Sequence, residues 1–578
     1  MNSSKVPWLF RNTFRERGMN FIAKEPIRKG WSGDKKYCVT DENGKRFILC
    51  VFDSSQYDRK LSGFQMMKQA VSSGVPMCQP IEFGVCEEGG YYILSWIEGE
   101  DAEQVICDCS DTEQYVYGLE AGHILRRIHS LPAPAGQEDW EIRFNRKMDH
   151  KIRIYGLCPI KYENGQAFID YINETRHLLK NRPQVYQHGD YHIGNMMIDR
   201  NGKLQIIDFD RYDYGDPWEE FNRIVWCAQK APLFASGMVN GYFDGDVPPE
   251  FWKLLALYIS SNTLSSVSWA IPFGQDEVDI MLDQVKDVLS WYNNMRHPVP
   301  AWYFKGYYLQ YIDGIPFKLK SAFDFSFLKA YGTVFKVYDD QDSGNICFGT
   351  EKDGQRYFVK FAGAFTQQYK GDSADAIARL KGTWPLYRDL KHKCLIEFLE
   401  AREMGGGFAM VFKWADGDCM GRMYPAAHRR FMNLPVDARL TVFRDLLDFF
   451  EYVASQKYVA IDFYDGSIMY DFENGQTTFC DIDFFRKQPC INDMGRMWGS
   501  SLFQSPEEFQ AGAAIDEITN VYTMGATAFA LFGGYNRTRD KWQLGESLFE
   551  VAAKAVSDDR LQRQQSIRQL KDEWENAL

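Results

Sequence analysis

Two short segments of the chain, one in each half, place polar side chains in the same order. In the first, Asp190 is followed five residues later by Asn195, and an apolar run further on ends in Asp208. A carboxylate held near a hydroxyl can accept its proton. An Asn and an Asp aimed at one point offer the oxygen ligands that Mg²⁺ prefers. We therefore predict Asp190 as a general base and Asn195 and Asp208 as Mg²⁺ ligands.

The second segment repeats this order with Asp462, Ser467 and Asp481. The interval between its two aspartates is one residue longer, which a hairpin turn absorbs. Phosphoryl transfer asks little covalent chemistry of a protein, because it needs a metal-neutralised triphosphate, a positioned hydroxyl and a nearby base. The sequence therefore predicts ATP and Mg²⁺ as cofactors and a hydroxyl group as the acceptor.

Strand-rich regions precede both segments and must help to position them. Residues 27–51 and 334–361 each predict a strand, a Gly-containing loop, a strand, a tight turn and a strand. The turns contain Asn43-Gly44 and Asp353-Gly354, and such pairs between β-rich runs indicate hairpins. The first glycine-containing loop holds Gly30, Ser32 and Gly33, and the second holds Gly344.

Helical periodicity dominates the remainder of each half. Apolar residues recur at helical spacing in 113–129, 251–270 and 436–454. A segment rich in proline, glycine and aromatic residues separates the halves. We predict a first domain over residues 1–305, a connector over 306–322 and a second domain over 323–578.

The first half resembles the aminoglycoside phosphotransferase and choline kinase family. Its loop His188–Asn195 matches the family pattern H-G-D-x-x-x-x-N, and the resemblance covers residues 20–300. It implies the base and metal roles predicted above and an adenine-binding hinge at Ser95, Trp96 and Ile97. It also implies nucleotide contacts from the first glycine-containing loop. Members phosphorylate small hydroxyl compounds, including aminoglycoside and macrolide antibiotics.

The second half, residues 323–578, resembles eukaryotic-type serine/threonine protein kinases. Lys360 lies where that family has the phosphate-binding lysine of its third strand. Ser505-Pro506-Glu507 corresponds to A-P-E, and Arg563 is placed to pair with Glu507. The two resemblances imply an α+β fold of two tandem bilobal protein-kinase-like domains, each with a β-rich N-lobe and an α-rich C-lobe.

For the second half, the resemblance implies Asp462 as catalytic residue and Ser467 and Asp481 as metal ligands. It also implies nucleotide contacts from Gly344 and Lys360, and it admits a protein substrate. Ser467 stands where the family has Asn, and serine is a poorer metal ligand than an amide. We therefore predict weak or regulatory activity for this domain.

The first half departs from its family at the phosphate-binding lysine. Cys50 occupies that position, and a thiol cannot hold phosphate by charge. The following helix contributes no acid at 63–65, where the partner glutamate belongs. Lys45, Arg46 and Arg59 are candidates to replace the lysine.

Composition and charge exclude some function classes. The net charge of -13 argues against a nucleic-acid partner and weakly favours a neutral or cationic substrate. We read the 13 scattered cysteines as reduced thiols. Residues 1–20 contain no signal-peptide core, and no stretch predicts a membrane span. We expect a cytoplasmic protein without a membrane partner.

Two other readings remain open. Activity could reside in the second domain as a protein serine/threonine kinase, with the first as scaffold. Alternatively, both domains could be nucleotide-sensing pseudokinases, which the residues at Cys50, Gly63 and Ser467 would allow.

Overall fold

A computed structural model describes residues 21–27 and 33–578. The chain separates into two compact units, residues 1–306 and 307–578. Both mix β-strands and α-helices, as the sequence predicts. Gly30 and Ser32 of the predicted nucleotide loop, and the N-terminal stretch 1–20, lie outside the described residues.

The first unit begins with a five-stranded antiparallel sheet, in the strand order β1-β2-β3-β5-β4. Its elements are β1 (Phe21–Pro26), β2 (Lys35–Asp41), β3 (Arg46–Phe52), α1 (Tyr57–Ser72), β4 (Pro80–Cys86) and β5 (Gly89–Ser95). The turn between β2 and β3 is built on Gly44, which has φ 79°, a backbone conformation that glycine adopts without steric cost. The Asn-Gly hairpin is therefore confirmed.

A helical lobe follows in the same unit. Its helices are α2 (Ala102–Cys107), α3 (Asp111–His129), α4 (Trp140–Leu157), α5 (Gln166–Thr175), α6 (Ile224–Lys230), α7 (Pro232–Phe243), α8 (Pro249–Ala270) and α9 (Gln275–Trp291). Short strands complete it: β6 (Gly99–Asp101), β7 (Val185–Gln187), β8 (Met196–Asp199), β9 (Leu204–Ile206) and β10 (Asp213–Gly215). Strands β6, β8 and β9 form one small sheet, and β7 pairs with β10.

The second unit repeats the strand order of the first. After a hairpin of β11 (Tyr308–Ile312) and β12 (Ile315–Leu319), its five-stranded antiparallel sheet has the order β13-β14-β15-β17-β16. These elements are β13 (Thr333–Tyr338), β14 (Asn345–Lys352), β15 (Gln355–Ala362), α10 (Ser373–Asp389), β16 (Phe398–Met404) and β17 (Gly407–Lys413). As in the first unit, a helix connects the third and fourth strands.

The rest of the second unit is mainly helical. Its helices are α11 (Pro425–Met432), α12 (Val436–Ser455), α13 (Glu517–Gly533), α14 (Glu546–Ala555) and α15 (Ile567–Ala577). Its short strands are β18 (Asp418–Cys419), β19 (Tyr458–Val459), β20 (Ile468–Asp471), β21 (Gln476–Phe479), β22 (Arg486–Lys487), β23 (Cys490–Ile491) and β24 (Ala514–Ile515). The three periodic segments predicted as helices correspond to α3, α8 and α12.

The segment predicted as a connector contains the β11–β12 hairpin. Phe317 and Leu319 are buried there, in a cluster that includes Val359 and Phe361 of β15. Residues 308–319 therefore contribute to the core of the second unit, because their apolar side chains cover one face of its sheet.

The prediction that no stretch is long and apolar enough to span a membrane is corrected at helix α8. Among the described residues, the helical stretch Pro249–Phe273 is long and apolar enough to cross a membrane, with a mean hydropathy of 1.2. The expectation that no stretch approaches a membrane span was therefore wrong on length and composition. However, 67% of the most apolar 18-residue part of this stretch is buried inside the protein, which is typical of a core helix.

Candidate active site

The loop that carries Asp190 is held by a buried carboxylate. Glu220 accepts hydrogen bonds from the backbone N–H groups of His188 and Gly189, at 2.6 and 2.8 Å. Gly189 has φ 85°, and a Cβ there would lie 1.9 Å from the carbonyl oxygen of Arg211. Only glycine fits this turn, so the loop presents Asp190 in one orientation.

His188 connects the two segments of the site. Its Nε2 lies 2.9 Å from the carbonyl oxygen of Ile207, and its Nδ1 accepts a hydrogen bond from the Asp190 N–H at 3.2 Å. These partners place the ring proton on Nε2. The side chain is fully buried, so it positions the loop beside Asp208.

The predicted metal ligands lie next to each other. Asn195 Nδ2 donates to the carbonyl oxygen of Asp190 at 2.9 Å, which leaves the amide oxygen for a ligand. The N–H of Ile207 donates to the carbonyl oxygen of Asn195 at 3.0 Å, which brings in Asp208. Asp208 adopts the left-handed conformation, with φ 65° and ψ 63°, a strain often found at functional sites.

The donor set fits Mg²⁺ bound together with a polyphosphate. Among the described residues, no group of three His, Cys, Asp or Glu side chains could hold a metal ion. The protein offers a metal ion two oxygen ligands here, the amide oxygen of Asn195 and a carboxylate oxygen of Asp208. Mg²⁺ commonly takes one or two protein ligands and completes its shell with phosphate oxygens and water.

Asp190 faces two arginines. Arg223 Nε lies 3.2 Å from Oδ1 and Arg211 Nη1 lies 3.6 Å from Oδ2. Burial acts to raise the pKa of Asp190, but the charges of Arg223, His192 and Arg211 outweigh it, so the pKa is lowered. The carboxylate is therefore ionised at neutral pH and able to accept a proton.

Lys36 lies beside the vacant lysine position. In the β2–β3 register, Lys36 is the direct partner of Cys50, so both side chains emerge on the same face of the sheet. Lys36 Nζ lies 3.3 Å from Asp208 Oδ1 and 3.0 Å from Asp210 Oδ2. Burial acts to lower the pKa of Lys36, but Asp210 and Asp208 outweigh it and raise it. The ammonium group is charged and faces the metal ligand.

Cys50 itself is inert. It is fully buried, and burial together with the charge of Asp210 raises the pKa of its thiol to about 12. A second lysine, Lys60 of α1, contacts Asp34 and lies 3.2 Å from Asp210 Oδ1. Helix α1 thus contributes a cation where the related family would place an acid.

The three cations named from the sequence as replacements do not reach the metal ligands. Arg46 pairs with Glu98, and Lys45 lies over the ring of Phe47. Arg59 lies over Tyr212, 5.9 Å from its centroid. The turn and the start of α1 direct these three candidate side chains toward Glu98, Phe47 and Tyr212 instead.

The predicted hinge links the sheet to the helical lobe between β5 and β6. Trp96 and Ile97 line the cavity of the site. Ser95 instead exchanges hydrogen bonds with Gln79, donating its N–H at 2.9 Å and accepting at Oγ at 2.8 Å. The structure therefore brings Trp96 and Ile97 to the cavity, whereas Ser95 holds β5.

Of the first nucleotide loop, the structure describes Gly33. A Cβ at this position would meet no atom within 4 Å among the described residues. The described part of the chain gives Gly33 no packing role, and its predicted nucleotide contact remains a prediction.

A cavity of about 1160 Å³ joins these groups. One end is apolar and lies beside the hinge, with Ile48, Leu94 and Met197 in its lining. The other end extends between the helices past Asp190 to Trp226. The base and both metal ligands lie along its wall, so the cavity could hold a nucleotide and a second molecule together.

In the second unit, Lys360 reaches the predicted metal ligand. Its Nζ lies 3.0 Å from Asp481 Oδ1 and 2.6 Å from Asp483 Oδ2. Helix α10 contributes Tyr387, whose hydroxyl donates to Asp483 Oδ1 at 2.8 Å. Asp481 is left-handed, with φ 57°, as Asp208 is in the first unit.

The other predicted site residues of the second unit differ from their counterparts in the first unit. Burial, and then the charges of Asp481 and Asp342, raise the pKa of Asp462 to about 7. Ser467 is fully buried, and its Oγ has no hydrogen-bond partner among the described residues. Gly344 has a packing role, because a Cβ there would lie 2.7 Å from the ring of Tyr369.

The predicted ion pair of the second helical lobe is formed. Arg563 donates to both oxygens of Glu507, at 2.8 and 3.0 Å, and both residues are buried. A bidentate Arg–carboxylate pair of this kind fixes two segments with defined geometry.

In the first unit, the fold and the site together define a cleft suited to phosphoryl transfer: a base, two oxygen ligands and a lysine between a sheet and a helical lobe. Residues 25–252 match the model of the APH phosphotransferase enzyme family. The resemblance stated for the first half is thus confirmed, whereas the protein-kinase resemblance of the second half stays a prediction.

Solved structures similar to the chain include an apo thermostable mutant of aminoglycoside phosphotransferase APH(4)-Ia. It has 16% identity and a TM-score of 0.37, covering 48% of this chain and 98% of that one. Another is a thermostable mutant of the same enzyme in a ternary complex with AMP-PNP and hygromycin B. It has 14% identity and a TM-score of 0.38, covering 50% of this chain and 98% of that one. No curated protein matches the chain.

Several site residues were missed by the sequence analysis. Lys36 could have been found by counting outward from the Asn43-Gly44 turn, because that register places it opposite Cys50. Glu220 lies 30 residues after Asp190 in the chain, and no motif marks it as the acceptor for this loop. Arg223 approaches Asp190 from a position 33 residues further along the chain, and no local sequence pattern predicts that approach.

Proposed function

We propose that the first unit transfers the γ-phosphoryl group of ATP to a hydroxyl of a small molecule. The observation that carries this proposal is the convergence of Asp190, Asn195 and Asp208 with Lys36 on one cavity. The match of residues 25–252 to a phosphotransferase family supports the same reaction class.

In this proposal, the nucleotide occupies the end of the cavity beside the hinge. Ile48 and Leu94 of the sheet and Met197 of the helical lobe offer apolar surfaces for a base. Lys36 then faces the phosphates, with Asn195 and Asp208 next to them. Mg²⁺ held by these two residues would neutralise phosphate charge.

The acceptor occupies the other end, where Asp190 lies. Its carboxylate takes the proton of the attacking hydroxyl, and its lowered pKa keeps it ionised for that task. Arg223 and Arg211 hold the carboxylate from two sides. They are also positioned to oppose the negative charge of the phosphoryl group during transfer.

For the second unit we propose nucleotide binding with slow or regulatory transfer. Lys360 supports binding, because its ammonium group lies beside Asp481, the predicted metal ligand. Ser467 offers a shorter ligand than an amide would. Burial and neighbouring carboxylates raise the pKa of Asp462 to about 7, so it is protonated over a wider pH range than Asp190.

The proposal is tested by incubating the intact protein with Mg·ATP and a library of small hydroxyl compounds, with products identified by mass spectrometry. We expect at least one phosphomonoester. Asp208→Ala should abolish its formation, because Asn195 alone cannot hold a strongly hydrated ion. ATP binding without transfer to any hydroxyl would instead favour the nucleotide-sensing reading.

A further inference from the structure

We propose that the acceptor carries an anionic group, a carboxylate or a phosphate, in addition to the hydroxyl that receives the phosphoryl group. This inference rests on the function proposed for the same cleft. It starts from three cationic side chains that line the cavity, Lys151, Arg211 and Arg223. Arg211 and Arg223 face Asp190, and Lys151 feels the charge of Arg223.

The acidic cluster between residues 210 and 220 is not available to a cationic substrate. Each of its five acids is engaged within the unit. The partners are Lys36 and Lys60 for Asp210, Arg143 for Asp213, Arg182 for Asp216, Lys147 for Glu219, and the N–H groups of His188 and Gly189 for Glu220. A cationic acceptor would therefore find little compensation here.

Lys151 lacks a counter-ion in the described part of the chain. It projects from α4, and its Nζ makes one hydrogen bond, to Asn262 Oδ1 of α8 at 3.3 Å. Burial, and then the positive charges of Lys147 and Arg223, lower the pKa of Lys151 to about 7, although Glu219 opposes them. An anion at this place would supply the missing partner.

Arg211 and Arg223 share a single carboxylate. Both approach Asp190, at 3.6 and 3.2 Å, and Arg223 Nε has no hydrogen bond among the described residues. Planar guanidinium groups match carboxylate and phosphate oxygens, often in pairs of parallel hydrogen bonds. The two guanidinium groups therefore have N–H donors left for a second anion while they contact Asp190.

Acids also line this cavity, among them Asp101, Glu103 and Glu277. Glu103 is paired with Lys230 at 3.0 Å. Glu277 of α9 lines the cavity without an ion pair among the described residues. Asp190 already faces Arg211 and Arg223, and an anion beside Lys151 would favour its charged form, so an anionic group complements these side chains better than a cation does.

A matched set of three-carbon acceptors tests this inference on the intact protein. Glycerate, glycerol 3-phosphate, glycerol and 3-amino-1,2-propanediol share hydroxyl groups and differ in charge. We expect kcat/KM to be at least about tenfold higher for glycerate or glycerol 3-phosphate than for glycerol, and lowest for the amine. A preference between the two anions would show which anionic group the site fits.

Lys151→Gln should lower kcat/KM for the anionic acceptors by about tenfold or more, since hydrogen bonds to charged groups contribute about 1.5–3 kcal/mol. Glycerol should be affected much less. Lys147→Gln is the control, because Lys147 lies one turn earlier on α4 and already pairs with Glu219. That variant should keep the preference for anions.

Transfer that prefers glycerol or the amine would overturn the inference and leave the proposed function intact. An equal loss for all acceptors in Lys151→Gln would do the same. If none of the four compounds is phosphorylated, the proposed function is still tested by the library screen. Calorimetry with glycerate and a non-hydrolysable ATP analogue then decides the inference: binding that Lys151→Gln removes supports it, and no binding to the wild-type protein overturns it.

Discussion

Asp190 and Asp462 hold matching places in their segments but differ in their electrostatic surroundings. Arginines lower the pKa of Asp190 against the effect of burial. Asp462 is shifted in the other direction by burial and by neighbouring carboxylates, to about 7. At neutral pH, the first carboxylate is a ready base and the second is divided between two protonation states.

At Lys36, the account predicts loss of nucleotide affinity. Lys36→Met should raise the KM for ATP by about 10–100-fold, because a charge-assisted hydrogen bond contributes about 1.5–3 kcal/mol. Steady-state kinetics with varied Mg·ATP would measure it. Cys50→Lys added to this variant should restore part of the affinity, because the two positions are cross-strand partners.

Lys45→Met is the matched control for that experiment. It lies on the same hairpin, and its ammonium group lies over Phe47 away from the metal ligands. The KM for ATP should stay near the wild-type value. Equal effects of Lys36→Met and Lys45→Met would show that Lys36 has no special role in holding phosphate.

At the scale of elements, the β2–β3 hairpin and α1 show how far local patterns reach. The Asn-Gly turn predicts the hairpin, and the hairpin fixes the partner of Cys50. The absence of an acid at Gly63 was also visible in the sequence. The reason for this absence is visible only in the tertiary structure. A Cβ at Gly63 would lie 2.8 Å from the ring of Tyr212. Helix α1 therefore approaches the metal-binding segment too closely for a longer side chain at this position.

Contacts between distant segments could not be predicted in the same way. Glu220 reaches back 31 and 32 residues to the amides of Gly189 and His188. Lys151 and Asn262 lie 111 residues apart. Such pairs depend on how helices cross in the folded unit, and those crossings cannot be predicted from residue spacing or composition.

The Glu220 contact makes a prediction at this scale. Glu220→Gln would replace one acceptor oxygen by an NH₂ group that faces backbone N–H donors. We expect the free energy of unfolding to fall by about 1–3 kcal/mol, the cost of a buried unsatisfied group. The phosphoryl-transfer rate should fall too, because the Asp190 loop loses its support. Urea unfolding and initial rates on the intact protein measure the two effects.

Glu138→Gln is the corresponding surface variant. Glu138 pairs with Arg146 at 2.7 Å, and both side chains are exposed. Such pairs contribute about 0–1 kcal/mol, so stability and rate should change little. If Glu220→Gln proves as mild as this control, the buried carboxylate does not hold the loop.

On the scale of the whole molecule, two units with one strand order carry complementary sets of residues. The first has Asp190 as an ionised base and Asn195 and Asp208 as an amide and a carboxylate ligand. Its lysine, Lys36, lies on β2, because Cys50 occupies the usual lysine position on β3. The second keeps its lysine on β15, at Lys360, but has Ser467 and an Asp462 whose pKa is raised to about 7. Metal binding and an ionised base act on the transfer step itself, which is why we propose catalysis in the first unit.

The most direct measurement compares Asp190→Asn with Asp462→Asn in the intact protein, using an acceptor found in the library screen. Asp190→Asn should lower kcat by at least about 100-fold, the lower range of general-base contributions, while Mg·ATP affinity changes little. Asp462→Asn should leave kcat within about twofold of the wild-type value. Wild-type turnover in Asp190→Asn, or loss of transfer in Asp462→Asn, would contradict the assignment of catalysis to the first unit.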